Sequence, residues 1–276
     1  MIWGFAGPWY GEYNCSGDDA VMKRLNFLVA HGFKSTAIGF DAMREPKQRE
    51  AIAALVEQHD LQLTVYLHQN WVQNDQEAIK RSLEDFAANM EKYGAMLRVP
   101  IVTTSPGGVH RFMRQPPFNE QLDRMSQALA PAAQVCHELG TPLGIENHGD
   151  YYCSDLVEIC KRTPHLYIFL DTGNTYLIGE QSVAGCRAAT PYTIGTHFKD
   201  HYVRPDHRQL CFQLDGAPLG EGDVGLAEVY RILLAQAPEP HKLIMQWEMV
   251  TPKGMSPLEC LERSWTFIRA LEKENP

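Results

Sequence analysis

The sequence predicts an α/β protein, a (β/α)8 (TIM) barrel that forms a single domain over residues 1–276. Three observations support this prediction. Short apolar runs typical of strands alternate with longer amphipathic stretches typical of helices, and this unit occurs eight times. Eight such units in 276 residues match the usual size of this barrel. No Pro/Gly-rich linker or change in composition divides the chain. An open doubly wound sheet is the alternative that the count does not exclude.

The predicted strands are short runs rich in β-branched, aromatic and aliphatic residues. They span residues 2–6, 36–40, 61–68, 98–103, 141–146, 166–170, 192–197 and 242–247. The predicted helices have apolar residues at three- and four-residue spacings. They span residues 20–30, 47–58, 75–93, 119–139, 154–161, 182–189, 226–236 and 256–273. The segment 201–225 is predicted to be a long irregular insertion at the active site rather than a domain boundary.

The amino-acid composition indicates which partners and which cellular compartment to expect for this protein. The chain has 25 basic and 34 acidic residues, and this net charge of −9 disfavours nucleic acid as a partner. We expect no signal peptide and no membrane span, because no apolar run is long enough for either. Seven cysteines are scattered without a CxxC pair, which favours reduced thiols and a cytoplasmic location.

Four residues of types that can ligate a metal occur at or near the ends of the last four predicted strands. They are Glu146, Asp171, His197 and Glu248. The first three are spaced by 25 and 26 residues, about one strand–helix unit each, and the last follows the inserted segment. Because the carboxyl ends of barrel strands form the active site, these side chains are expected to converge there.

Three carboxylates at one point would repel each other, so a bound divalent cation is expected. Carboxylate oxygens with one imidazole nitrogen suit Mn²⁺ best, with Mg²⁺ or Co²⁺ as alternatives, and do not suit a structural zinc site. Such an ion would act as a Lewis acid on a sugar-like carbonyl substrate. For any one of these residues, a helix cap or a salt bridge is the simpler interpretation.

The chain resembles the xylose-isomerase-like barrel proteins, a group of sugar and sugar-phosphate isomerases and epimerases. The resemblance extends along nearly the whole chain, and its most specific parts are Ile145-Glu-Asn-His148, Asp171-Thr-Gly-Asn174, His197-Phe-Lys-Asp200 and Leu219-Gly-Glu-Gly-Asp-Val224. It implies that the four strand-end residues hold the metal and that Glu146 and Glu248 also act as the catalytic acid–base pair. The implied substrate is a ketose or keto-sugar, and enzymes of this kind often form homo-oligomers.

Three positions depart from the pattern of the ketose 3-epimerases in this family. Asn174 replaces a histidine, Tyr152 a glutamate and Val203 an arginine. The His197-Phe-Lys199-Asp200 sequence instead resembles the inosose dehydratase and keto-sugar branch, so a metal-dependent lyase is the main alternative. In that branch Lys199 would polarise a substrate oxygen; a salt bridge to Asp200 or to another acid is the structural alternative.

Further substrate contacts are predicted from position along the chain. His68 ends the third strand, and His148 lies two residues beyond Glu146, on the same side of the strand. Trp9 follows the first strand and could form an apolar wall against a sugar, or pack the barrel rim instead. Asn174 and Lys199 complete the predicted substrate-binding set.

A remote alternative is an apurinic endonuclease of the endonuclease IV kind, which shares this barrel. His68 and His110 fall at places comparable to metal ligands of that family. That family needs three metals, however, and Asn174 replaces one of the histidines it requires. The net charge of −9 also argues against a DNA partner.

Overall fold

Eight parallel strands close into a barrel, which confirms the predicted fold class and excludes the open sheet. The computed structural model describes residues 1–17, 19–73, 75–206 and 211–275. The barrel strands are β1 (Ile2–Gly7), β2 (Ser35–Ile38), β3 (Gln62–Tyr66), β4 (Val102–Thr104), β5 (Leu143–Glu146), β6 (Leu166–Asp171), β7 (Thr193–Phe198) and β10 (Ile244–Glu248). Around the barrel they follow the order β1-β10-β7-β6-β5-β4-β3-β2.

Eight helices follow the barrel strands. They are α1 (Asp19–His31), α2 (Pro46–His59), α3 (Gln76–Leu97), α4 (Phe118–Glu138), α5 (Cys153–Arg162), α6 (Ser182–Ala189), α7 (Leu226–Gln236) and α8 (Pro257–Glu274). Side-chain caps fix several of their first residues. Asp75 accepts a hydrogen bond of 2.7 Å from the backbone N–H of Ala78, and Ser256 accepts one of 3.1 Å from Glu259. These caps satisfy N–H groups that have no partner within the helix.

The fourth strand begins later than predicted. The predicted strand started at residue 98, whereas α3 extends to Leu97 and Arg98 caps it in the left-handed conformation, with φ of 48°. Three residues then lead to β4, which begins at Val102. The apolar run after Arg98 therefore includes an extended connection as well as the strand.

The segment predicted to be irregular contains a regular element. Residues His201–Asp206 (β8) and Cys211–Gly216 (β9) pair as an antiparallel hairpin beside the barrel. Its residues are too polar to show an apolar strand pattern, and backbone hydrogen bonds between the two strands define it instead. The hairpin stands directly after β7, so the interpretation as an insertion at the C-terminal face of the barrel is retained.

The barrel interior changes from apolar to polar along its axis. Near the strand starts, Ile101, Phe169 and Ile244 form a small apolar cluster. In the next layer, the buried amide of Gln246 donates hydrogen bonds of 3.0 and 3.1 Å to Ser35 and Thr64. Beyond this layer the ionisable strand-end residues begin. Outward-facing strand residues pack against the helices in one large core.

The helices and the cysteines can be compared with the predictions of no membrane span and of reduced thiols. Within the described chain, no helix combines the length and the apolarity that a membrane crossing requires. Six cysteine side chains are described, and all are free thiols, as expected.

We expect Gly195→Ala to destabilise the barrel, because a Cβ at this position would lie 2.8 Å from the side chains of Ile101 and Phe169. Overpacking of this kind costs about 1–3 kcal/mol. Thermal and urea unfolding would measure the loss. Gly39→Ala is the matched control, since no heavy atom lies within 4 Å of its added methyl group and its φ is −91°. Equal stability of the two variants would contradict this packing.

Candidate metal centre and active site

Four strand-end side chains meet at the C-terminal mouth of the barrel, as the sequence predicted. One ligand atom from each lies within 4.8 Å of the others. The four residues are Glu146, Asp171, His197 and Glu248. The Nδ1 atom of His197 lies 2.8 Å from Glu146 Oε1, 3.4 Å from Glu248 Oε2 and 3.9 Å from Asp171 Oδ2. Strand register produces this convergence, because Asp171 pairs with His197 across β6 and β7.

The floor of the site is the ring of Phe169, which packs edge-to-face against the His197 imidazole. Their ring centroids are 4.8 Å apart and their planes are at 90°. The neighbouring positions, Gly144 and Gly195, have no Cβ, and a Cβ at either would approach Phe169 to 3.1 Å or less. The two glycines therefore make room for Phe169, whose ring packs against the imidazole.

Asp171 is held by the turn that follows its strand. Its Oδ1 atom accepts hydrogen bonds of 2.9 Å from the backbone N–H groups of Gly173 and Asn174. The buried amide of Asn147 bonds to the backbone N–H and C=O of Asp171, each at 2.8 Å. One carboxylate oxygen is thus occupied by backbone donors, and Oδ2 faces the cluster.

Lys199 extends into the same cluster. Its Nζ lies 2.8 Å from Asp171 Oδ2, 2.7 Å from Glu248 Oε2 and 3.1 Å from Asn174 Oδ1. The lysine therefore pairs with two of the candidate metal ligands and not with Asp200. Asn174, predicted as a substrate contact, is buried and holds this ammonium group. The Lys199 backbone is fixed by Thr172, whose hydroxyl accepts from its N–H at 2.9 Å.

Asp200 lies outside the cluster contacts of Lys199 and accepts hydrogen bonds from backbone N–H groups. One of its oxygens accepts hydrogen bonds from the backbone N–H groups of His201 and Val224, at 3.0 and 3.2 Å. The other accepts from Gly220 and Gly222, at 2.9 and 3.1 Å. This buried carboxylate joins the start of β8 to the turn before α7.

Burial and mutual charge shift the pKa values of the cluster. Burial raises the pKa of Asp171 to about 6, although Lys199 opposes the shift. Burial lowers the pKa of His197, but Glu146 and the other carboxylates outweigh it and raise the value to about 9. Burial also lowers the pKa of Lys199, but the charges of Asp171 and Glu248 outweigh this effect, so the pKa of Lys199 rises. The pKa of Glu248 is lowered, because Lys199 and His197 outweigh its burial.

The donor set fits a hard divalent cation. Ligands of such an ion lie about 2.0–2.6 Å from it, so opposite ligands are separated by roughly 4–5 Å, and the atoms here already lie within 4.8 Å of one another. Asp171 Oδ2 is buried and accepts no hydrogen bond of good geometry from the described residues, although Lys199 Nζ is only 2.8 Å away. A buried carboxylate oxygen that faces other ionisable side chains in this way is suited to a cation.

Comparison with known proteins identifies the family. The family model described as "Xylose isomerase-like TIM barrel" matches residues 25–249. The chain belongs to the xylose isomerase-like TIM barrel family. No curated protein matches it by sequence.

Solved structures with this fold include epimerases and a dehydratase. A D-tagatose 3-epimerase-like protein has a TM-score of 0.71 and 16% identity, with 99% of this chain and 97% of that chain covered. A probable 3-DHS dehydratase from Bacillus anthracis has a TM-score of 0.69 and 12% identity, with 98% and 99% covered. A family protein from Mycobacterium smegmatis in complex with magnesium has a TM-score of 0.66 and 16% identity, with 99% and 96% covered. At these identities the likeness is one of fold.

The other predicted substrate contacts lie around the mouth. His68 and His148 are exposed, and the His68 ring stacks near Tyr66 with centroids 5.8 Å apart. The Trp9 indole is half-buried and packs edge-on against the Phe5 ring, with the ring centroids 5.1 Å apart. Part of the indole therefore packs against the aromatic core. Their roles in binding stay predictions.

Several residues of the site were missed in the sequence. Asn147 was passed over although it lies between two predicted site residues, and its buried amide aligns β5 with β6. The predicted site also did not include Tyr66 and Ser105, whose hydroxyl groups meet at the ends of β3 and β4. Tyr66 lies two residues before His68 and two after the inward-facing Thr64, so strand alternation could have identified it.

We expect Asp171→Asn to lower the affinity for Mn²⁺ at least about 100-fold, because it removes a ligand charge from a buried site. The remaining amide oxygen can still accept from the backbone of Gly173, so the fold should persist. Equilibrium dialysis with metal analysis would measure binding. Asp41→Asn, at an exposed pair with Arg44, is the control. Unchanged binding by Asp171→Asn would exclude this metal centre.

Metal binding should depend steeply on pH. His197 must lose its proton to act as a ligand, and its pKa of about 9 means that it is protonated at neutral pH. The apparent affinity for Mn²⁺ should therefore rise from pH 6 to pH 9, by up to about tenfold per pH unit, and level off above. Competition against a chelating dye would follow this trend. An affinity that is constant over this range would refute it.

Proposed function

We propose that this protein is a divalent-metal-dependent isomerase or epimerase of a ketose or keto-sugar. The observation that carries this proposal is the meeting of Glu146 and Glu248 with Asp171 and His197 around one centre. The reaction would move a proton on a carbon next to a carbonyl. A metal, most suitably Mn²⁺ with Mg²⁺ or Co²⁺ as alternatives, would be held by these four residues and would polarise the carbonyl of the substrate.

The two glutamates are suited to act as an acid–base pair. They come from β5 and β10, which are separated in the barrel by β6 and β7, so their carboxylates approach the centre from different sides. One carboxylate would take the proton from the carbon, and the electron pair would move to the carbonyl oxygen. The other glutamate, in its protonated carboxylic acid form, would give its proton to the opposite face, which inverts that carbon.

Neighbouring residues would keep Glu248 in its ionised state. Lys199 Nζ contacts Glu248 at 2.7 Å and lowers its pKa, so Glu248 is ionised and able to accept a proton. Asn174 accepts from the same ammonium at 3.1 Å and holds it in place. The side chain of Glu248 is 33% exposed and that of Glu146 only 8%, so a substrate reaches Glu248 more readily from the mouth.

The proposal is tested with Mn²⁺-loaded protein and a panel of ketones. D-fructose, D-psicose, D-tagatose and a 3-keto-glucoside, followed by NMR in D₂O, should show deuterium entering one carbon as its configuration changes. Glu146→Gln and Glu248→Gln should each lower kcat about 1,000-fold or more with bound metal verified, since each removes a proton carrier.

Glu120→Gln, at an exposed pair with Arg124, should retain full activity. Exchange that persists in both site variants would refute the assignment of the acid–base pair. Absence of exchange with every ketone in wild-type protein would refute the proposed function.

A lyase on the same site is the second candidate, and the position of Lys199 favours it. After proton removal by a glutamate, the electron pair of the enolate could expel a β-hydroxyl, which would take a proton from Lys199 Nζ and leave as water. The dehydratase among the solved structures shares only the fold, so it adds little. Loss of water in the same NMR experiment, abolished by Lys199→Met, would establish the lyase.

The endonuclease alternative has little support. His68 and His110 are exposed and lie outside the four-residue cluster. Within the described chain, that cluster is the one group of potential metal ligands found, whereas a three-metal site would need more. A small carbohydrate is therefore the proposed substrate. The cytoplasm is the proposed location of the protein.

A further inference from the structure

Two hydroxyl groups stand on the wall of the barrel opposite the cluster. Tyr66 ends β3, and its hydroxyl lies 2.6 Å from that of Ser105, which follows β4. In the barrel order, β3 and β4 lie across the barrel from β7 and β10, the strands that carry His197 and Glu248. The pair therefore faces two of the candidate metal ligands across the mouth.

Tyr66 is exposed where a barrel residue would ordinarily be buried. Thr64, on the same side of β3, is buried and bonds to Gln246 inside the barrel. Tyr66, one step nearer the mouth, is 44% exposed. On the adjacent strand β2, the small residue Ala37 pairs with Thr64 and faces inward by strand alternation. The phenol thus borders an open, small-residue part of the mouth.

The chemistry of the pair indicates the kind of group it can bind. The phenol and the serine hydroxyl have two protons between them, and one is used in their mutual hydrogen bond. One O–H donor and several lone pairs remain for a ligand. Burial and the charges of Glu146 and Asp150 raise the pKa of Tyr66, so the phenol keeps its proton.

Negative charges near the Tyr66 and Ser105 hydroxyl groups disfavour the binding of an anion there. Asp150 is half-buried; its Oδ1 accepts from the backbone N–H groups of His148 and Tyr151, at 3.1 and 2.9 Å. Its charge and that of Glu146 both act on Tyr66. A phosphate or carboxylate bound to the hydroxyl pair would be repelled by these two groups. A neutral alcohol, which both donates and accepts, is complementary to it.

We propose that Tyr66 and Ser105 form a subsite for a hydroxyl group at the end of the substrate away from its reacting carbonyl, and that this end is unphosphorylated. The inference rests on the proposed function and makes its substrate more specific: a neutral polyhydroxylated ketone. Tyr66 and Ser105 would determine specificity and affinity, and the chemical step would belong to the cluster.

The test compares Tyr66→Phe, Ser105→Ala and the double variant with wild-type protein. Each single change should raise KM about tenfold for the ketose that wild-type protein converts, with kcat within about twofold, because one neutral hydrogen bond is lost. The double variant should be only slightly worse, since the two hydroxyls act together. Wild-type protein should convert the 6-phosphate ester of the same ketose at least about 100-fold less efficiently.

Tyr167→Phe is the matched control, because Tyr167 lies at the opposite end of the barrel, beside Ile101 and Leu243. It should leave KM unchanged, and Mn²⁺ affinity should be equal in all variants. KM values for Tyr66→Phe and Ser105→Ala within twofold of wild type would overturn the subsite while the proposed function stands. Preference for the phosphate ester would overturn the neutral substrate.

Inactivity of wild-type protein on every ketone would refute the proposed function instead. Calorimetric titration with D-psicose would then decide on the subsite by itself. Weaker binding by Tyr66→Phe than by Tyr167→Phe would support the subsite, whereas equal binding, or none by wild-type protein, would overturn it.

Discussion

Repulsion among three carboxylates at the barrel mouth is the constraint on which the rest of the site depends. Glu146, Asp171 and Glu248 cannot stay ionised together without positive charge between them. The chain supplies part of that charge itself, through His197 and the ammonium of Lys199. A divalent cation would take over the role of the imidazolium proton. The imidazolium proton and the lysine interact with the same oxygens that would bind a metal.

The parts of the site that the sequence predicted are those fixed by strand geometry. Parallel strands in a barrel end at one face, so a polar residue at each strand end was enough to predict the convergence of Asp171 and His197. The alternation of strands and helices predicted a parallel sheet, and eight such units in 276 residues favoured the closed barrel over the open sheet. Boundaries such as the start of β4 were less accurate, because an apolar run does not show where the cap at Arg98 ends a helix.

What could not be predicted depends on packing between distant segments. The contact of Tyr66 with Ser105 follows from the pairing of β3 with β4, and the part played by Asn147 follows from the register of β5 with β6. A salt bridge from Lys199 to an acid was expected as an alternative, but Asp171 and Glu248 were not identified as its partners, since a sequence gives no distances. The hairpin of β8 and β9 is defined by backbone pairing, which its polar residues do not reveal.

The four backbone N–H groups bound by Asp200 have a consequence for how the barrel mouth can vary. They tie together both ends of the excursion that leaves β7 and returns to α7, from His201 to Val224. Its two ends are thus anchored independently of whatever lies between them. A longer or differently composed hairpin could replace the present one without moving Lys199, so this segment could change in length and sequence while the four-residue cluster stays in place.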